Sequence, residues 1–99
     1  MLDMNLIHKA LANPLRRDIL GWLRAPAATF PDDYAGHGRG VPVHAIQARS
    51  GLAQSTVSMH VALLVEAGLL VPRRVGQWVF LSRNEEVIRA FTEQIRMHL

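Results

Sequence analysis

The sequence predicts a mainly α-helical domain with one small β-hairpin: about five helices, the fourth followed by a two-stranded ribbon. Three observations predict it. Apolar residues recur at helical spacing through most of the chain, as at Met4, Ile7 and Leu11 or at Val57, Val61 and Leu64. Residues 69–83 abandon that period and fold back around Val75-Gly76-Gln77. Glycines and prolines punctuate the chain, with Pro14, Gly51, Gly68 and Pro72 standing where one element should give way to the next.

The first helix is expected over residues 3–12, with Asp3 as its N-cap. Asn13-Pro14 ends it and starts the second. Asparagine caps well, and proline suits the first helical position because the N–H it lacks has no partner there. Leu15, Ile19, Trp22 and Leu23 form the apolar stripe of that helix, with Arg16 and Arg17 beside it. Residues 25–42 break every periodicity. Their prolines, glycines and the Asp32-Asp33 pair predict a long inserted loop, which Phe30 and Tyr34 are placed to pin to the body.

A short helix follows over 43–50, with Val43 and Ile46 inward and Gly51 supplying the turn at its end. The strongest helix is 54–67. Gly68 stops it, and Leu69, Leu70 and Val71 lead into a strand that Pro72 marks as an edge. Trp78, Val79, Phe80 and Leu81 return, and Trp78 is expected in the core. Asn84-Glu85-Glu86 caps the last helix, with acids where the helix dipole favours them.

Ninety-nine residues make a single domain. No apolar run is long enough for a membrane span, and the acid-bearing N-terminus lacks the pattern of a signal peptide. The chain has no cysteine, which removes disulfides and thiolate metal sites and suits a cytoplasmic location. The net charge of +3 is less telling than its placement. Residues 41–83 carry Arg49, Arg73, Arg74 and Arg83 against Glu66 alone, whereas the two flanking segments nearly cancel internally. The basic excess sits on the turn, helix and hairpin, a distribution suited to a phosphate backbone.

Two helices joined at Gly51 have the proportions of a helix-turn-helix, in which the second helix enters the major groove. The expected outward residues are Gln54, Ser55, Ser58 and Met59, with Thr56 and His60 at the flanks. Glutamine pairs with adenine through two hydrogen bonds, hydroxyls reach phosphates or base edges, and Met59 suits a thymine methyl. Arg49, and Arg73, Arg74 and Gln77 on the hairpin, are placed to meet backbone or minor groove. The first and last helices bear apolar stripes, Met4, Ile7 and Leu11 on one and Ile88, Phe91 and Ile95 on the other. Pairing them across a two-fold axis buries both, so a homodimer is expected. No nucleophile with a base, no phosphate loop and no tight histidine spacing is present, so neither an enzyme nor a cofactor is expected. Asp32, Asp33 and His37 leave an ion site open as an alternative.

Three segments, ALANPLRRDIL (10–20), GLAQSTVSMHVALLVEAGLL (51–70) and RRVGQWVFL (73–81), resemble the ArsR/SmtB family of bacterial winged helix-turn-helix repressors. The resemblance covers nearly the whole chain apart from 25–42. It implies a dimer joined through its terminal helices, bound to an imperfect inverted repeat of double-stranded DNA and released by an inducer. By position, Gln54, Ser55, Thr56, Ser58 and His60 match the recognition helix, and Arg73, Arg74 and Gly76 match the wing. The chain departs from the pattern in three ways. The cysteine metal site is absent, with His44 near a usual cysteine position and only His98 in the last helix. Ala53 stands where the family often has a serine cap, and the 25–42 segment is long. The alternatives are a protein-interaction adaptor on the same fold and a metal-responsive repressor using histidine and aspartate.

Overall fold

The computed structural model describes residues 2–30 and 40–99, and these described residues fold as six helices around a three-stranded antiparallel sheet. Helix α1 spans Met4–Leu11, and the Asp3 carboxylate accepts the Leu6 N–H at 3.0 Å. Helix α2 spans Pro14–Arg24, where the Asn13 side chain accepts from the N–H groups of Leu15 and Arg16. Both caps are those the sequence predicts, because each side chain meets N–H groups that the first turn leaves without carbonyl partners.

The segment 25–42 is not one uninterrupted loop. A single-turn helix α3 occupies Pro26–Thr29, and Phe30, 5% exposed, closes it against the core. Val41–Pro42 forms a short strand β1. Tyr34 and the Asp32, Asp33, His37 group lie outside the described residues. The described residues therefore form six helices where about five are expected, and three strands where two are expected. Both additions are too short for periodicity to register.

Helix α4 spans Val43–Ser50 and α5 spans Gln54–Glu66. Strands β2 (Leu70–Val75) and β3 (Trp78–Arg83) form the hairpin, with Val75 opposite Trp78. Its tip is the two residues Gly76 and Gln77. Gly76 alone there has a positive φ, +60°, which suits a tight turn matched to strand twist. The sheet order is β1-β3-β2, so β2 is an edge, as Pro72 predicts. Helix α6 spans Glu85–His98, and the Asn84 side chain accepts the Val87 N–H at 3.2 Å.

The core gathers Ile7, Ile19, Ile46, Val57, Leu64, Leu69 and Leu81, from α1, α2, α4, α5 and the sheet. Val41 of β1 pairs with Leu81 and is 1% exposed. This short strand roots the base of the hairpin beside α4, and its position fixes where the hairpin projects.

Candidate nucleic-acid interface

The turn between α4 and α5 is locked locally. Gly51 adopts φ +71°, a left-handed conformation that costs glycine little, and its N–H donates to the Gln47 carbonyl at 3.1 Å. The Ser50 hydroxyl donates to the same carbonyl at 2.8 Å and accepts the Leu52 N–H at 3.1 Å. Helix α5 then starts after Ala53, which has extended backbone and no side-chain cap. Val57, Val61 and Leu64 face the core. Gln54, Ser55, Ser58 and Met59 are exposed and Thr56 is half-buried. The outer face of the first two turns of α5 is thus polar and uncharged, with Met59 as its one large apolar residue, and exposed Glu66 follows at the helix end.

The hairpin carries the charge. Arg73, Arg74 and Gln77 are all exposed. Arg73 is paired across the ladder with Phe80 and Arg74 with Val79, so the two arginines leave opposite faces of the ribbon. Trp78 does not enter the core. It is 54% exposed, and its ring packs against that of His44 with centroids 4.9 Å apart. The reason is the pleat: Leu81 and Val79 take the covered face, which leaves Trp78 and Phe80 on the other. His44, Gln47, Gln54, Ser58, Gln77 and Trp78 line an open groove of about 370 Å³ between the helix pair and the hairpin. Gln47 and His44 are additions to the residues expected here: His44 stands out in the sequence only for its place near a usual cysteine position, and Gln47 follows no pattern. Arg49 is exposed on α4, with its guanidinium 5.6 Å from the centre of the Trp22 ring.

His60 is a correction. Expected at the flank of the DNA-facing surface, it is buried at 8% exposure on the inward stripe of α5. Its Nδ1 lies 2.9 Å from Nη1 of Arg16. Burial first, and then the Arg16 charge, lower the imidazole pKa below its ordinary value of 6.5. The signal was present in the sequence, since Val57, His60, Val61 and Leu64 follow the i, i+3, i+4, i+7 pattern of one helical face.

Ile7 is the second correction. It is fully buried inside its own subunit and has no surface to offer a partner. Met4, Leu11, Ile88, Phe91 and Ile95 are all half-buried. None of the residues of α6 is fully buried. The helix is held at its start by Arg83, which donates to the Leu20 carbonyl at 3.2 Å and pairs with Glu85 at 2.9 Å. Further along, Phe91 meets the His8 ring edge-on at 5.4 Å. Among the described residues no group of three or more histidines, aspartates and glutamates is placed to share a metal ion. No helix among them is long and apolar enough to cross a membrane.

A short helix, a glycine turn, a polar-faced second helix and an arginine-bearing hairpin rooted beside them define a winged helix-turn-helix regulator. Comparison with known proteins agrees. The family model described as a helix-turn-helix domain matches residues 11–73. The HTH-type transcriptional regulator YbzH of Bacillus subtilis is 30% identical over 95 residues, covering 94% of this chain and 95% of that protein. Among solved structures, HlyU from Vibrio cholerae is 28% identical with a TM-score of 0.63, over 94% of this chain and 88% of that one. The homodimeric winged helix-turn-helix DNA-binding domain of a possible ArsR-family regulator from Mycobacterium bovis is also 28% identical. Its TM-score is 0.65, over 94% of this chain and 75% of that one. The chain belongs to the ArsR family of helix-turn-helix transcriptional regulators, and it is a DNA-binding protein of that class.

Proposed function

We propose that the protein is a dimeric, sequence-specific repressor, acting in the cytoplasm and released from DNA by an inducer. The observation that carries this reading is the division of labour across the groove. The uncharged polar face at the start of α5 suits base edges, and the arginines of the wing suit phosphates. In this reading Gln54, Ser55, Ser58 and Met59 read bases in the major groove, and Thr56 touches the backbone. Arg49, Arg73, Arg74 and Gln77 hold the sugar–phosphate strand and the adjoining minor groove.

Residues 1–99 act as one DNA-binding domain whose terminal helices dimerise, and 25–42 is an insertion in it. Support for the dimer comes from α6. Fourteen residues long, it leaves Ile88, Phe91 and Ile95 half-covered, with Met97 at 68% and Leu99 at 97% exposure. An apolar stripe on a helix with no fully buried residue is stabilised by a second copy, with Met4 and Leu11 of α1 beside it. Two recognition helices related by a two-fold axis then meet half-sites about 34–36 Å apart, and an imperfect inverted repeat results. An inducer that favours a different spacing of the two helices releases the DNA, through a coupling that is reciprocal.

In-vitro selection from random duplexes at near-physiological salt tests this. The expected outcome is an enriched inverted repeat with half-sites one helical turn apart. No enrichment by folded protein would refute it and favour a protein-interaction adaptor on the same scaffold.

A further inference from the structure

We propose that Arg16 and His60 are positioning residues for DNA binding, in which the guanidinium of α2 straps the end of α1 to the inner face of α5 and so sets the attitude of the recognition helix. The inference rests on the DNA-binding role of α5 given above and adds to it two residues that touch no DNA.

The geometry is a three-helix tie. Arg16 Nε donates to the Ala10 carbonyl at 2.6 Å and Nη2 to the Lys9 carbonyl at 3.2 Å. Both are among the last carbonyls of α1, where the helix ladder runs out and the Lys9 carbonyl is otherwise met by the Ala12 N–H of the cap at 3.2 Å. The third arm of the fork, Nη1, lies 2.9 Å from His60 Nδ1. A guanidinium is always charged and has donors only, so Nδ1 must accept and the imidazole is neutral, with its proton on Nε2. His60 projects inward from α5, and its neighbours Ser58 and Met59 project outward. Moving the anchored residue therefore rotates the residues that would face bases.

Protonation breaks the tie. It would put an N–H on Nδ1 facing the guanidinium and set two cations in contact. The surroundings do little to relieve this. Lys9 of α1 lines the same hollow as Arg16, Arg17 follows on α2, and Glu66 of α5 is the acid that shares the hollow. Burial and then the Arg16 charge favour the neutral imidazole, so its pKa lies below the ordinary 6.5. The sign of the effect separates two roles. A histidine that grips phosphate binds DNA more tightly when protonated, whereas a histidine that accepts from Arg16 loosens the recognition helix.

The test compares the wild-type protein with His60→Gln, which keeps an acceptor that cannot be protonated, and with His60→Leu, which keeps bulk and removes the acceptor. Affinity is measured by fluorescence anisotropy on a labelled duplex of mixed sequence at low salt, and on the enriched inverted repeat when selection yields one. The other histidines are common to all three proteins, so any effect of theirs cancels in the ratios. Between about pH 7.5 and pH 5.5 the wild type should lose affinity relative to His60→Gln, by at most about tenfold when the ring is fully protonated, the scale of one charge-assisted hydrogen bond. His60→Leu, checked as folded by circular dichroism, should bind about tenfold more weakly than His60→Gln at both values, by the same scale. Parallel pH profiles for wild type and His60→Gln, or a relative gain by the wild type in acid, would overturn the strap. If none of the three proteins binds either duplex at neutral pH, the DNA-binding reading itself fails, which is a distinct result.

Discussion

Gly40 leads into β1 with φ +96°, and the space beside its α-carbon is already occupied. A β-carbon built there would overlap the Leu81 carbonyl oxygen, and it would lie 2.7 Å from the carbonyl carbon and 3.2 Å from the Ser82 nitrogen. Those are backbone atoms of the central strand β3, so no side chain can swing aside. Gly40→Ala has two ways out. If the chain holds its path, the cost is about 1–2 kcal/mol for the left-handed backbone and about 1–3 kcal/mol for the overlap. Otherwise β1 peels from β3 and Val41, now 1% exposed, loses a burial worth about 1.5–3 kcal/mol. Both routes place the loss near 3 kcal/mol, a large share of the roughly 5–15 kcal/mol that holds a domain together. Because β1 roots the wing beside α4, DNA affinity should fall as well. Urea unfolding followed by circular dichroism measures the first effect and anisotropy on a labelled duplex the second. A loss under about 1 kcal/mol with affinity unchanged would refute the reasoning, since it would mean the backbone contact is not tight. Gly21→Ala is the matched control. It sits inside α2 with nothing within 4 Å of the added carbon, and it should stabilise the protein by about 0.5–1 kcal/mol.

The remaining predictions concern the interface and its support. Arg73→Ala and Arg74→Ala should each weaken binding to every sequence and flatten the plot of log affinity against log salt. In a dimer with one phosphate contact per arginine the slope should drop by about 1.8, and an unchanged slope would sink the phosphate role. Gln54→Ala should relax base preference at one position of each half-site, seen by repeating the selection; an identical motif would exclude direct readout by Gln54. Ala53→Ser supplies the missing cap of α5 and should add about 1 kcal/mol, read from urea midpoints at constant slope. Acid should destabilise the fold through His60. Its folded pKa lies below the ordinary 6.5, so the unfolded chain takes up the proton first, and stability is full above that value and declines as pH falls below it. His60→Gln should remove that part of the decline; equal acid sensitivity in both proteins would assign it elsewhere.

The arrangement separates strength from selectivity. The first two turns of α5 present no charged residue on their outer face, while Arg73 and Arg74 project from a ribbon that the core holds only at its base. Non-specific affinity should therefore follow the wing, and sequence preference should follow the helix.

The sequence by itself determined the local events. Asp3, Asn13 and Asn84 cap helices because their side chains reach N–H groups only two or three residues away. Gly51 and Gly76 make turns because their own dihedrals are left-handed. Residues 54–66 form a helix and 70–83 a hairpin because period and punctuation agree over a dozen residues. The tertiary structure decided which face of each element is covered. Trp78 and Leu81 both belong to an apolar strand, and only the packing of β3 between β1 and β2 against the helices sends Leu81 inward and Trp78 out. Ile7 shares a stripe with Met4 and Leu11, yet contact with the core buries it alone of the three. Strand β1, two residues long, exists because β3 offers a ladder for it, not because Val41 and Pro42 prefer to be extended together. His60 is paired with Arg16 across 44 residues of chain. Caps and turns are settled within a few bonds and are legible in order along the chain, whereas burial and pairing are settled between segments whose meeting no local pattern records.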